Sequence, residues 1–110
     1  MRKISLIVPC YNEEEALPIF YEEVAKVSAS MPEYEFEFLF VDDGSQDRTL
    51  ELLQEISARD ERVFYYSFSR NFGKEAAMYA GFCNARGDYV AVMDADMQDP
   101  PSLLPEMVEA

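Results

Sequence analysis

Two acidic pairs and one basic turn carry most of the chemistry open to this sequence. Asp94 and Asp96 stand one residue apart, directly after the apolar run Tyr89-Val90-Ala91-Val92-Met93 and shortly before Pro100-Pro101. That run reads as a strand buried on both faces, ended by the prolines. Two carboxylates at the end of such a strand repel each other and cost desolvation unless a cation lies between them. Oxygen ligands of this kind suit Mg²⁺ or Mn²⁺, commonly held by one or two carboxylates plus the phosphates of a ligand. Asp94 and Asp96 are therefore candidate metal ligands and candidate catalytic residues. The plainer reading makes them solvated turn residues, or a cap for a helix beginning near Ser102. A second acidic pair, Asp42-Asp43, follows the apolar run Phe36–Val41, and Arg70 and Lys74 follow a third run.

Composition narrows the partners. The chain has 110 residues, 49% of them hydrophobic and 14% aromatic, which fits one folded domain with a substantial core. It carries 22 acidic against 9 basic residues, a net charge of -13. Nucleic acid is excluded as a partner, because neutralising its phosphates needs clustered Lys and Arg. A small phosphorylated ligand bound through a metal is not. The sequence has no His, which removes imidazole from catalysis and from any metal site. Cys10 and Cys83 form neither a CxxC pair nor a dense framework, so free thiols in a reducing compartment are expected. The first apolar run stops at Pro9, too short for a membrane span or a signal-peptide core.

These groups need a scaffold, and the rest of the chain describes one. Ile4–Val8 predicts a strand closed by Pro9. Asn12 is placed as the cap of a helix whose first turn is acidic (Glu13 to Glu15), which tolerates Pro18 early, and whose buried face is Leu17, Phe20, Tyr21, Val24 and Val27. After the strand Phe36–Val41, Ser45 or Asp47 caps a second helix facing inward through Leu50, Leu53 and Ile56. Val63–Phe68 is a third strand, a turn at 71–74 leads into an Ala-rich helix over 75–85, and Tyr89–Met93 is the fourth strand. Alternating strands and helices predict βαβ units, hence an α/β domain with a mostly parallel sheet and helices on both faces. In such sheets ligands bind beyond the carboxyl ends of the strands. Those ends are Pro9-Cys10-Tyr11-Asn12-Glu13, Asp42-Asp43-Gly44-Ser45, Ser69 through Lys74, and Asp94 through Gln98. Carboxylates end two strands and basic residues follow a third, a distribution that fits a nucleoside diphosphate with a divalent ion. Asp42 or Asp43 is placed to accept from a base N–H or a ribose hydroxyl, and Tyr11 to pack on the base or, alternatively, in the core. Lys74, near a helix N-terminus, is placed to meet phosphate oxygens, and Gly73 and Gly81 to allow close approach.

The ordered segments Ile-Val-Pro-Cys-Tyr-Asn-Glu-Glu, Val-Asp-Asp-Gly-Ser-x-Asp-x-Thr, Ser-Arg-Asn-Phe-Gly-Lys-Glu-Ala-Ala and Met-Asp-Ala-Asp-Met-Gln-Asp-Pro-Pro resemble family 2 glycosyltransferases. More narrowly, they are similar to bacterial polyprenyl-phosphate sugar transferases of the dolichol-phosphate mannose synthase type, over nearly the whole chain. The resemblance implies a GT-A (Rossmann-like) fold, with residues 1–110 forming the nucleotide-sugar-binding N-terminal part of the domain. It implies that Pro9, Tyr11, Asn12 and Glu13 line the nucleotide pocket, that Asp42 and Asp43 bind base or ribose, and that Gly73 and Lys74 belong to the same site. Asp94, Asp96 and Gln98 would form the metal and diphosphate group. The implied reaction is metal-assisted, inverting transfer from a UDP- or GDP-sugar to an acceptor such as polyprenyl phosphate, at the cytoplasmic face of the membrane through segments beyond this chain. The final helix runs to Ala110 without a capping signal, so the 110 residues alone are expected to bind donor without transferring sugar. A non-catalytic nucleotide-sugar sensor is the alternative. A phosphate-accepting receiver domain would need its acidic pair after the first strand, and a haloacid-dehalogenase-type phosphatase its Asp-x-Asp there; Pro9-Cys10 stands in that place instead.

Overall fold

The computed structural model describes residues 2–96 and 100–105. Four parallel strands form the sheet: β1 (Arg2–Cys10), β2 (Tyr34–Asp42), β3 (Val63–Ser67) and β4 (Tyr89–Val92). Helices α1 (Leu17–Ala29), α2 (Thr49–Arg59) and α3 (Lys74–Asn84) connect them, and a 3₁₀ turn covers Pro101–Leu103. The spatial order is β3-β2-β1-β4. The chain therefore builds outward from β1 through β2 to β3, then returns to add β4 on the other side of β1.

The period-2 alternation of the central strands divides the core between the two faces. Ile4, Leu6 and Val8 of β1 and Phe36, Phe38 and Phe40 of β2 join Leu17, Phe20 and Val24 of α1 and Leu53 and Ile56 of α2 in one cluster. The Phe20 and Phe40 rings meet edge-on at 6.3 Å. On the opposite face Ile7, Leu39 and Val41 are buried, and α3 covers that side with Ala77 and Gly81. Gly81 is required by proximity: a Cβ there would lie 2.4 Å from Cγ2 of Ile7.

Several expectations change. β4 is an edge strand of the described sheet rather than one buried on both faces. Tyr89 and Ala91 pack against the α1-side core, while Val90 is 42% exposed. Asn12 does not cap α1. Its φ is 51°, its Oδ1 accepts the Gln46 N–H, and the helix starts only at Leu17, with no acidic residue in its first turn. Asn tolerates this left-handed conformation better than most residues, which frees its side chain for a neighbouring loop. Neither cap offered for α2 is used: the N-cap position falls on Arg48 and makes no side-chain cap hydrogen bond, while Asp47, one residue earlier, accepts the N–H and the hydroxyl of Thr49. Leu50 is only partly buried, and Thr49 takes an inward position instead.

Pro9 does not end β1, and its role is informative. The Cys10 carbonyl accepts the Asp43 N–H on the β2 side, whereas the Ile7 carbonyl accepts the Met93 N–H on the β4 side. By alternation the missing N–H of Pro9 falls toward β4. The β1–β2 pairing thus continues to Cys10–Asp42, but the β1–β4 pairing stops at Ile7–Val92. The sheet parts just beyond that point, where the strand order reverses.

Candidate functional site

The parted strands open a cleft of about 240 Å³. Pro9, Cys10, Tyr11 and Glu13 line it from the end of β1, Asp43 from the end of β2, Lys74 from the start of α3, and Asp94 and Asp96 from beyond β4. A ligand site outside the carboxyl ends, where the strand order switches, is what a doubly wound sheet provides. Tyr11 is 43% exposed there, so its alternative place in the core is excluded. Among the residues expected from sequence, Asn12, Asp42 and Gly73 do not line this cleft but brace it, and Gln98 lies outside the described residues.

The bracing is a set of hydrogen bonds between loops. The Asn12 N–H donates to Ser45 Oγ at 2.9 Å, the Glu13 N–H to Thr49 Oγ1 at 2.8 Å, and the Glu14 N–H to Asp47 at 3.2 Å. With the Gln46 N–H donating to Asn12, these bonds zip the β1–α1 loop to the β2–α2 loop. Sequence reasoning missed this role for Ser45, Asp47 and Thr49. The available signal was their alternation, three short oxygen-bearing side chains at every second position of one loop. Asp42 is buried, accepting the Ser45 N–H and the Ser67 hydroxyl. Gly44 has a φ of 72°, and a Cβ there would lie 2.2 Å from the Arg70 carbonyl carbon, so glycine is needed for the β3–α3 loop to pass.

Asp43 ties that loop to the cleft. Its two carboxylate oxygens accept the N–H groups of Phe72 at 2.8 Å and Gly73 at 3.0 Å. Gly73, with a φ of 100° and open space around a notional Cβ, is there for its backbone angle rather than for close approach. Fixing Phe72 and Gly73 sets the first residue of α3, Lys74, whose Nζ lies 2.8 and 2.9 Å from the two oxygens of Asp94. Nearby, the Arg70 guanidinium lies 4.7 Å from the Phe72 ring centroid.

The electrostatics of the cleft are those of crowded carboxylates. Burial, then the charges of Asp96, Asp94 and Asp47, raise the Glu13 carboxyl above its ordinary value. Burial, followed by Glu13, Asp42 and Asp94, pushes the Cys10 thiol far up, and sulfur is in any case a soft donor that suits a hard divalent ion poorly. The donors left are hard oxygens. Among the described residues no group of three or more His, Cys, Asp or Glu gathers to hold a metal alone. Asp94 and Asp96 therefore fit the sharing mode, in which a divalent ion takes one or two carboxylates and completes its shell with ligand phosphate. The Lys74 ammonium on both Asp94 oxygens is itself a stand-in cation at that place.

Known proteins are similar to this chain in sequence and fold. A bactoprenol glucosyl transferase of Shigella phage SfV is 46% identical over 107 residues, covering 97% of this chain and 34% of the relative. The undecaprenyl-phosphate 4-deoxy-4-formamido-L-arabinose transferase of Proteus mirabilis is 41% identical over 109 residues, covering 98% of this chain and 33% of the relative. The chain thus spans about one third of the length of these relatives. S. aureus TarS 1-349 in complex with UDP-GlcNAc superposes with a TM-score of 0.74 at 26% identity, over 97% of this chain and 30% of TarS 1-349. The mannosyltransferase PcManGT from Pyrobaculum calidifontis, solved with GDP-Man and Mn²⁺, shares the fold with a TM-score of 0.83 at 21% identity, over 98% of this chain and 32% of its own. The architecture is GT-A. The glycosyl transferase family 2 profile matches residues 5–110, and with the sheet, the parted strands and the acidic cleft in agreement, the chain belongs to glycosyl transferase family 2.

Proposed function

We propose that this chain forms the donor half of a glycosyltransferase, binding a nucleoside-diphospho-sugar whose sugar passes, with inversion, to polyprenyl phosphate. The observation that carries the reading is the convergence of Asp43, Lys74, Asp94 and Asp96 on one cleft at the switch point of the sheet. Bactoprenol and undecaprenyl-phosphate transferases among the relatives support the acceptor class, and UDP-GlcNAc and GDP-Man in the structural neighbours support the donor class.

Each end of the donor has its residues. Tyr11, half-exposed at the cleft wall, gives the base an aromatic face, and Asp43 offers carboxylate lone pairs to base or ribose. Asp94 and Asp96, and by the family resemblance Gln98, would hold Mg²⁺ or Mn²⁺. Such an ion supplies stabilisation of the charge that develops on the departing diphosphate. Lys74, at the N-terminus of α3, adds a second positive charge for phosphate oxygens. A phosphate acceptor is already anionic and needs little general-base help, whereas a hydroxyl acceptor would need a base. Among the described residues no helix is long and apolar enough to cross a membrane. We place the acceptor at the cytoplasmic membrane face, reached by further segments of a longer protein.

Calorimetric titration with UDP- and GDP-sugars in Mn²⁺ tests the reading. Saturable binding of one nucleotide class, competed by its nucleoside diphosphate, is expected. No binding of either class would overturn it, and binding with no sugar transfer by a longer chain carrying these residues would favour the sensor.

A further inference from the structure

We infer that Lys74 is an exchangeable counter-ion: it holds Asp94 while the cleft is empty and passes to the donor diphosphate when a divalent ion takes Asp94. This rests on the donor-site reading above and goes beyond it by assigning an order of partners to one side chain. The starting geometry is the pairing of Nζ with both Asp94 oxygens, at 2.8 and 2.9 Å. An ammonium seated there and a dication sharing the same carboxylate repel each other at close range. With Nζ on both oxygens, a dication that takes either one displaces an ammonium contact, and the repulsion favours departure of the lysine.

The structure allows Lys74 to be the one that moves. Its backbone is fixed, because Asp43 clamps Phe72 and Gly73 immediately before it. Its side chain is 57% exposed, whereas that of Asp94 is 27% exposed. Rotation about the lysine stem therefore suffices, with no displacement of the loop or of α3. The destination is set as well. Lys74 opens α3, where the N-terminal N–H groups and the ammonium favour the same anion, and it lines the cleft together with Asp94 and Asp96.

Two effects of opposite sign follow from a single residue. Without ligand, Lys74 competes with the ion, so removing its charge strengthens ion binding. With diphosphate present, Lys74 attracts the ligand, so removing its charge weakens diphosphate binding. A residue that merely supports the fold would move both in the same direction. The exchange also keeps the carboxylates from trapping an ion tightly before the donor arrives, making ion and diphosphate binding interdependent.

The test is Mn²⁺ binding followed by electron paramagnetic resonance, first with the ion alone and then with inorganic pyrophosphate at saturating Mn²⁺. Lys74→Met is expected to bind Mn²⁺ alone on the order of tenfold more tightly than the native chain, and pyrophosphate on the order of tenfold more weakly. Lys74→Arg, which keeps the charge, is expected to stay near native behaviour in both, and Asp94→Asn to lose the tight Mn²⁺ site. Equal or weaker Mn²⁺ binding by Lys74→Met would overturn the exchange while leaving the metal site intact. Unchanged pyrophosphate affinity would overturn the transfer to diphosphate. Absence of Mn²⁺ binding in every chain, with and without pyrophosphate, would overturn the metal reading and this inference together.

Discussion

Toward the amino-terminal end of the sheet, the buried Glu37 carboxylate receives the Ser5 hydroxyl, the Arg86 N–H at 2.7 Å and the Lys3 ammonium at 3.5 Å. At the carboxyl-terminal end, Glu13, Asp94 and Asp96 crowd one cleft, and Asp94 is paired with Lys74. The two regions push their glutamates in opposite directions. Burial raises the Glu37 carboxyl, but the Ser5 and Arg86 hydrogen bonds and the Lys3 charge outweigh it and hold it below its ordinary value. Burial and the neighbouring aspartates raise Glu13. A carboxylate surrounded by donors is a structural part, fastening the turn before β4 to β1 and β2 through Ser5, whose hydroxyl also receives the Gly87 N–H at 2.7 Å. Carboxylates crowded into one cleft mark a candidate site for positive charge.

The largest expected effect breaks the structural end. Glu37→Ala strands the Lys3, Ser5 and Arg86 donors and should cost about 3 kcal/mol in urea unfolding. Nucleotide affinity of the folded fraction should be unchanged; if affinity falls in proportion to stability, the two ends are not separable. Asp43→Ala tests the residue that belongs to both roles. It leaves two loop N–H groups without their acceptor and removes a cleft carboxylate, so about 1–2 kcal/mol of stability and about tenfold in nucleotide affinity should go together. Loss of stability alone would restrict Asp43 to the loop.

Acid titration sharpens the contrast further. The Glu37 contribution is complete above the ordinary Glu value of 4.5 and is lost as pH falls toward its lowered folded value. Asp60, bonded by Arg62 and held near 2, behaves in the same sense below 3.8. The native chain should therefore lose stability steadily below about pH 4.5, and Glu37→Gln should flatten the upper part of that limb. A limb unchanged by the substitution would mean that Glu37 ionisation is not coupled to folding. The smallest effect lies at the other end: Glu13→Gln relieves repulsion and should raise stability at pH 7 by less than about 0.5 kcal/mol.

The division between legible and illegible follows the range of the interactions. Strands and buried helix faces could be read because periodicity is local: Leu17, Phe20 and Val24 repeat at helical spacing and are buried. The site edge could be read because the carboxyl ends of parallel strands gather by rule. The cap of α1 could not, since Asn12 had a local use at a helix start and a distant one at Gln46, and the distant one prevails. The exposure of Val90 depends on strand order, and the opening beyond Pro9 on hydrogen-bond parity across two strands; neither is written in a local pattern. The Lys74–Asp94 pair joins residues twenty positions apart whose charges had separately suggested different partners.

The most direct test is the dissociation constant of the preferred nucleoside diphosphate in Mn²⁺ and in chelator, for the native chain and for Asp96→Ala. Binding that needs the ion and is weakened at least tenfold by the substitution is the predicted result. A constant indifferent to chelator and to Asp96→Ala would contradict the cleft as a metal-diphosphate site.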